Sequence, residues 1–245
     1  MAIFTELQQR AQAPFASTPR GWIGVDIGSR SIKLTQVERR SDGYHFCNRW
    51  SVTRAEEPRT SGSNTACDLS DKHLRLAELR ELFTRPECAA AVSMSFQSLR
   101  SFELPAASAD ETRDMVCEEL AADDGNGDDD SVFDYWSTSE ASDEAAKITA
   151  LRMPAKLAMA VAEDLTTAGY ECQVLDGLPC ALARAVTMTG GKNDSPMVAL
   201  DLGDSEFTFV LAANGKPLYT RVLRDGGLRT LIQPLQQSLN LSHNQ

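Results

Sequence analysis

A surplus of positive charge is the first thing this sequence lacks. Its 245 residues carry 24 Lys and Arg against 35 Asp and Glu, for a formal charge of −11. A general nucleic-acid binder works by displacing phosphate counterions with basic side chains, so that class drops out. A nucleotide site is still compatible, because an acidic chain can be locally positive. Also missing is any apolar run of the roughly 18–20 residues that span a bilayer, so no membrane insertion is expected. The opening stretch MAIFTELQQRAQAPFASTPR is broken by Pro14 and Pro19 and has no secretory apolar segment. Residues 1–20 therefore read as a mobile leader of a cytosolic chain.

Cysteine is sparse and scattered. Cys47, Cys67, Cys88, Cys117, Cys172 and Cys180 form no C-x-x-C pair and no Cys/His cluster. Reduced, mostly buried thiols are expected, not a zinc site or disulfide framework. His45, His73 and His243 have no carboxylate or cysteine at ligand spacing. No Gly-x-Ser-x-Gly and no G-x-x-x-x-G-K-[ST] occurs. The acidic run DDGNGDDD fails the calcium-loop pattern, since a loop starting at Asp124 puts Asp129 where glycine belongs and Tyr135 where glutamate belongs. It reads as a solvated loop.

What is present is a mixed pattern of short strands and helices, with 42% hydrophobic residues and enough length for a sizeable core. Residues 22–27 and 31–37 predict two strands around a Gly28-Ser29-Arg30 turn, with a third strand at 44–52 after Asp42-Gly43. Residues 54–69 read as a loop, and 71–84 as a helix with Leu76, Leu79, Leu82 and Phe83 on one face. A new unit starts near residue 87, with two strands and then a helix opened by a Ser108/Glu111 capping box. Two more strands follow, at SVFDYWST and KITALRM. Next come a helix that opens at Pro154 and ends just before Gly169, a strand at 171–176 and a helix near 179–187. GGKNDSP is a candidate boundary, after which three strands, turning at Asn214-Gly215, lead to a last helix at about 225–240. Trp50 and Trp136 are expected in the core, and Trp22 packs under the leader on this reading.

Two segments share one plan. GWIGVDIGSRSIKLTQVERRSDGYHF and PMVALDLGDSEFTFVLAANGKPLYTRV each hold an apolar strand, Asp-apolar-Gly, a few polar residues, a second strand, a glycine turn and a third strand. Internal duplication of this kind governs fold assignment. Chemically, a glycine after a strand lets backbone N–H groups crowd an anion, and a nearby aspartate suits a hydrated magnesium. Two such hairpins face to face would clamp a triphosphate. The sequence leaves the direction of Lys33 undetermined. An Asp-x-Gly is also an ordinary turn, so the repetition carries the functional reading.

These paired hairpins resemble the two phosphate loops of the actin-like ATPase superfamily, and within it the PilM-like proteins of type IV pilus assembly. IGVDIGSRSIKL is similar to the opening of that family, SMSFQSLRSFELPAASADETRDMVCEEL to its inserted subdomain, ITALRMPAKLAMAVAEDLTTAGYECQVLDGLPCALARAV to the connection that follows, and VALDLGDSEFTFVLAANGKPLYTRVLRDGG to its second phosphate loop. The resemblance implies an α/β chain of actin-like ATPase domain fold, with ribonuclease H-like lobes. Residues 21–86 plus 173–192 form the first-lobe core, 87–172 an inserted α+β subdomain, and 195–245 the start of an incomplete second lobe. It implies that Asp26, Gly28, Ser29, Ser31 and Lys33 form phosphate loop one, and Asp201, Gly203, Asp204, Ser205 and Thr208 loop two. ATP and Mg²⁺ are the implied cofactors, with Asp26 and Asp201 as the magnesium carboxylates. The implied partner is the N-terminal peptide of a PilN-like inner-membrane protein, with pilus motor components and a second copy of the chain as further ones. The implied location is cytoplasmic and peripheral to the inner membrane.

Three departures open alternatives. The family continues for about a hundred residues beyond this C-terminus, carrying an adenosine-binding subdomain. Asp204 and Glu206 place extra acid beside a triphosphate. Leu178 stands where the family often has a glutamate that could polarise water. A nucleotide-free interaction module, similar to the cytoplasmic domain of type II secretion GspL, is one alternative. An active ATPase or sugar-kinase-like enzyme is the other, with no catalytic residue assignable.

Overall fold

The computed structural model describes residues 20–54, 69, 72–122, 130–138, 145–189, 195–224 and 226–239. The leader, most of the 54–69 loop, the acidic run short of Asp130 and most of the GGKNDSP boundary lie outside the described residues. The chain divides into two compact units. One holds the described residues up to Ser93 together with Met159–Asp176, and the other holds Met94–Ala158 together with those from Gly177 on.

The first unit is built on a five-stranded sheet. β1 (Arg20–Ile27), β2 (Ser31–Arg40) and β3 (Gly43–Thr53) form an antiparallel meander, and β4 (Glu87–Val92) runs parallel to β1. With β8 (Glu171–Gly177) the order is β3-β2-β1-β4-β8. Alternation drives this arrangement: Ile23, Val25 and Ile27 on β1 and Ile32 and Leu34 on β2 are buried, with polar or half-buried residues between them. Gln36 joins that inward row and is fully buried, but its Nε2 donates to the Gly21 carbonyl at 2.8 Å. The meander's second turn needs Gly43, whose φ is +134°.

Helix α1 (His73–Arg80) buries Leu76 and Leu79. It stops short of the predicted end. Leu82 lies past it and is exposed, whereas Phe83 is buried as expected. Trp50 is likewise exposed, because β3 is the outer strand of its sheet. The Tyr170 hydroxyl donates to the Leu76 carbonyl at 2.9 Å, tying α1 to the chain just before β8.

In the second unit, β5 (Ser98–Pro105), β6 (Ser131–Ser137) and β7 (Ala145–Pro154) form a sheet in the order β5-β7-β6. A short 3-10 turn, Met94–Phe96, precedes β5. Helix α2 (Ala109–Ala122) packs Val116 and Leu120 on Leu104, Ile148 and Ala150. Its capping box forms as predicted: Ser108 donates through both its N–H and its Oγ to Glu111 Oε2, at 2.9 and 2.7 Å. Those bonds hold the Glu111 carboxyl below its usual range. Helix α3 (Ala155–Thr167), which belongs to the first unit from Met159 on, begins one residue after Pro154, which closes β7 instead of opening the helix.

A third sheet, β11-β10-β9, contains β9 (Met197–Leu202), β10 (Phe207–Ala213) and β11 (Lys216–Leu223). Helix α4 (Leu178–Thr189) lays Ala183, Leu182 and Val186 on Ala199, Val210 and Ala212. Val198, Leu200 and Leu202, which alternate with those inward positions, are exposed. Asn214 and Gly215 both have positive φ, as a tight Asn-Gly hairpin turn requires. Helix α5 (Leu228–Leu239) follows.

Candidate functional site

Each unit contains one of the two predicted hairpins, and the backbone registers are the same. In the first, Asp26 stands opposite Lys33 and Ile27 opposite Ile32. In the second, Asp201 stands opposite Thr208 and Leu202 opposite Phe207. The aspartate is thus paired with the residue seven positions on in both. In both, the glycine two residues after the aspartate lies over the carbonyl three residues further along. A Cβ on Gly28 would sit 3.1 Å from the Ser31 oxygen, and one on Gly203 only 2.6 Å from the Glu206 oxygen. Glycine is needed at these two positions because the turns close on their own backbone.

Hairpin one is held by cations. Lys33 Nζ donates to Asp26 Oδ2 at 2.7 Å, which settles the direction of Lys33: it points to the same side of the sheet as Asp26. The lysine and aspartate side chains are 58% and 42% exposed, so this pair adds at most about 1 kcal/mol. An arriving anion and cation could therefore separate it at small cost. The Gly28 N–H donates to the Ser31 carbonyl at 3.1 Å. Arg54, just beyond β3, donates from Nη1 to the Gly28 carbonyl at 3.0 Å and from its backbone N–H to the Arg30 carbonyl at 2.8 Å. Ser29 and Ser31 flank this clamped turn.

Hairpin two is held by a helix start. The Leu228 N–H donates to the Gly203 carbonyl at 2.9 Å, and the Arg229 N–H to the Asp204 carbonyl at 3.1 Å. Arg229 Nη2 also meets Asp204 Oδ2 at 3.1 Å. Gly227 lies so close to the Asp204 and Ser205 backbone that any side chain would collide with it. The first amides of α5 are thereby committed to the loop and do not aim at an anion. Glu206 is buried, and Thr208, in the place of Lys33, is fully buried with its Oγ1 lacking a hydrogen-bond partner.

Each unit therefore gathers its own predicted set: Asp26, Gly28, Ser29, Ser31 and Lys33 in one, and Asp201, Gly203, Asp204, Ser205 and Thr208 in the other. Sequence reasoning missed Arg54, Arg229 and Gly227. The Gly226-Gly227 pair ahead of a helix was a visible signal for the last. Nothing local marked the two arginines, which reach the loops from a neighbouring strand end and from a helix.

Each hairpin, taken by itself, carries oxygens of the kind that a hydrated magnesium accepts. Hairpin one offers Asp26 with the Ser29 and Ser31 hydroxyls and the Lys33 cation, and hairpin two offers Asp201 and Asp204 with the Ser205 hydroxyl, while Thr208 Oγ1 is fully buried without a hydrogen-bond partner. Among the described residues, no three His, Cys, Asp or Glu side chains group as metal ligands. The extra acid of hairpin two is partly answered by Arg229 at Asp204.

Other candidates resolve into structural roles. His45 meets Asp42 at 2.8 Å and His73 meets Asp164 at 2.9 Å, so both have a carboxylate that spacing did not reveal. His243 lies outside the described residues. Trp136 is buried as expected, and its Nε1 donates to the Pro217 carbonyl at 2.7 Å. Burial pushes the Cys180 thiol up to about 12, which keeps it protonated. Cys88 hydrogen-bonds Cys172, and that bond together with burial raises its pKa. Leu178 opens α4. No helix among the described residues is long and apolar enough to cross a membrane.

No protein-family model and no curated protein matches the sequence. Among solved structures, the chain is similar to one described as the PilM-PilN type IV pilus biogenesis complex, with TM-score 0.73 and 21% identity over 90% of this chain and 66% of that one. It is also similar to the cytoplasmic domain of EpsL, an inner-membrane component of the type II secretion system of Vibrio cholerae, with TM-score 0.56 and 15% identity over 86% of this chain and 74% of that one. The fold is therefore α/β of the actin-like ATPase class. The chain spans about two thirds of the length of the chain it matches in that complex.

Proposed function

We propose that this protein is a cytoplasmic, actin-like scaffold of a type IV pilus or related secretion assembly, in which hairpins one and two hold one Mg·ATP between them. The observation that carries this reading is the shared register of the hairpins, Asp26 with Lys33 and Asp201 with Thr208, in a chain of PilM-like fold. Bound Mg·ATP would supply charge that draws the two hairpins together. Lys33 would leave Asp26 for a phosphate oxygen, Asp26 and Asp201 would orient metal-bound waters, and the hydroxyls of Ser29, Ser31 and Ser205 with the Gly28 and Gly203 turns would position the phosphates. Asp204, tied to Arg229, would shape the second turn.

The output on this reading is a change in affinity for the N-terminal tail of a PilN-like inner-membrane protein, a proposal supported by the presence of PilN in the name of the similar complex. Such coupling requires the nucleotide to prefer one arrangement of the units. Pilus motor components and further copies of the chain are the other proposed neighbours, and the location is the cytoplasmic face of the inner membrane. Calorimetry of the full chain with Mg·ATP tests the nucleotide part. Asp26→Ala and Asp201→Ala should each weaken binding by about tenfold or more, the scale of a lost charge-assisted contact. Absence of magnesium-dependent binding would sink that part.

A second reading has a specific observation behind it. The Asp26–Lys33 and Asp204–Arg229 pairs occupy both loops with the chain's own cations, as a nucleotide-free interaction module would tolerate. It predicts tail binding that ATP does not alter.

A further inference from the structure

The two hairpins match residue for residue, yet their matched apolar faces are not equally covered. In the first unit Ile23 stands opposite Gln36, Val25 opposite Leu34 and Ile27 opposite Ile32. In the second, Val198 stands opposite Leu211, Leu200 opposite Phe209 and Leu202 opposite Phe207. Ile23, Val25 and Ile27 are at most 2% exposed, whereas their counterparts Val198, Leu200 and Leu202 are at least 50% exposed. Strand β11 widens this open face, because Tyr219 pairs with Leu211 and Leu223 with Phe207, and both are exposed. Arg221, opposite Phe209, is the only charge on the face, and on an outer strand its long stem can carry that charge to water.

A second apolar surface of the same unit is also uncovered. Helix α5 presents Leu231, Leu235 and Leu239 at a spacing of four, with Ile232 beside them, and all four are exposed. The first unit shows what closes a face of this type. Buried in the same unit as Ile23, Val25 and Ile27 are helix ridges: Leu76 and Leu79 of α1, and Val161 and Leu165 of α3. The second unit therefore has an open sheet face and, separately, an open helix ridge of the kind that completes such a core.

We propose that two copies of the chain exchange these surfaces about a twofold axis, the α5 ridge of each lying on the β11-β10-β9 face of the other. One chain carries both halves of the contact, as an isologous interface requires. The area suffices: nine large apolar side chains, each about half exposed, present roughly 800 Å² per copy, the share each partner brings to a standard-size interface. Charge permits it as well. The chain is −11 overall, yet neither this face nor α5 contains an Asp or Glu, so repulsion between copies is least where they meet. The contact gives a surface to the further copies of the chain proposed above. It needs neither nucleotide nor a PilN-like tail, so its failure leaves the calorimetric test of Mg·ATP untouched.

Sedimentation velocity of the full chain without nucleotide is the test. The chain should sediment as a dimer at micromolar concentration and dissociate on dilution. Leu200→Glu on the sheet and Leu235→Lys on the ridge should each weaken the dimer about a hundredfold or more, because every dimer then buries two unpaired charges. Both positions are exposed within one chain, so circular dichroism and thermal unfolding of the dilute variants should match those of the dilute original. The two variants mixed should dimerise more tightly than either alone, since one unaltered ridge then meets one unaltered face. Mixing that restores nothing, or a dimer indifferent to either substitution, would place the contact elsewhere and overturn the proposal. So would a monomer at every concentration, whether it leaves the patch bare or floats with phosphatidylglycerol vesicles, which would make the patch a lipid contact.

Discussion

The two Asp-x-Gly hairpins share a register and differ in what closes them. Hairpin one is open and ionic: a solvent-exposed Lys33–Asp26 pair lies on its ladder, and Arg54 holds the turn by its carbonyls. Hairpin two is packed: α5 donates its first amides to the turn, Gly227 abuts it, and a buried threonine replaces the lysine. One backbone solution has thus been placed in two environments. A turn that accepts a ligand can be stabilised by exchangeable charge, as in hairpin one, or by fixed packing, as in hairpin two. The first is easily rearranged and the second is not.

The largest way to break this comparison is to add a methyl group. Gly227→Ala should destabilise the second unit by roughly 3 kcal/mol or more, since the new Cβ meets backbone that cannot yield. Gly203→Ala should cost about 2 kcal/mol and Gly28→Ala about 1 kcal/mol or less, in the order of their approach to the opposing carbonyls. Urea unfolding of the three variants measures this. Equal costs would mean that the hairpins are equally packed and that the contrast drawn here is wrong.

Smaller effects separate stability from binding at the matched ladder positions. Lys33→Met should change unfolding free energy by less than about 1 kcal/mol, because the pair is exposed, yet weaken Mg·ATP about tenfold. Thr208→Val, which removes an unpartnered buried hydroxyl at nearly constant volume, should leave stability unchanged or raise it by about 1 kcal/mol. If Thr208→Val also weakens nucleotide binding, its Oγ1 is a ligand contact. If Lys33→Met destabilises by more than about 2 kcal/mol, the Lys33–Asp26 pair is not the exposed, exchangeable contact described above.

Much of this was legible because the signals are local. Asp-x-Gly between alternating strands, Asn214-Gly215 with its positive φ values and the Ser108/Glu111 box all act within a few residues, and each forms as the sequence implies. The ends of elements were harder. Leu82 has helical spacing but falls past the end of α1, and Trp50 has a strand pattern but lies on an outer strand, so neither is buried. Hardest were contacts between distant segments. Lys33 needed the strand register before its direction could be known. Arg54 and Arg229 touch the loops from elements whose placement no short window encodes.

The central claim is that both hairpins line a single nucleotide site, and paramagnetic relaxation measures that directly. Mn·ATP is titrated into the isotope-labelled full chain while the amide signals of Gly28–Ser31 and Gly203–Glu206 are followed. The account predicts that both groups broaden together, with one midpoint and saturation at one equivalent, and that excess Mg·ATP restores them. Broadening confined to one hairpin, or separate midpoints for the two, would contradict it.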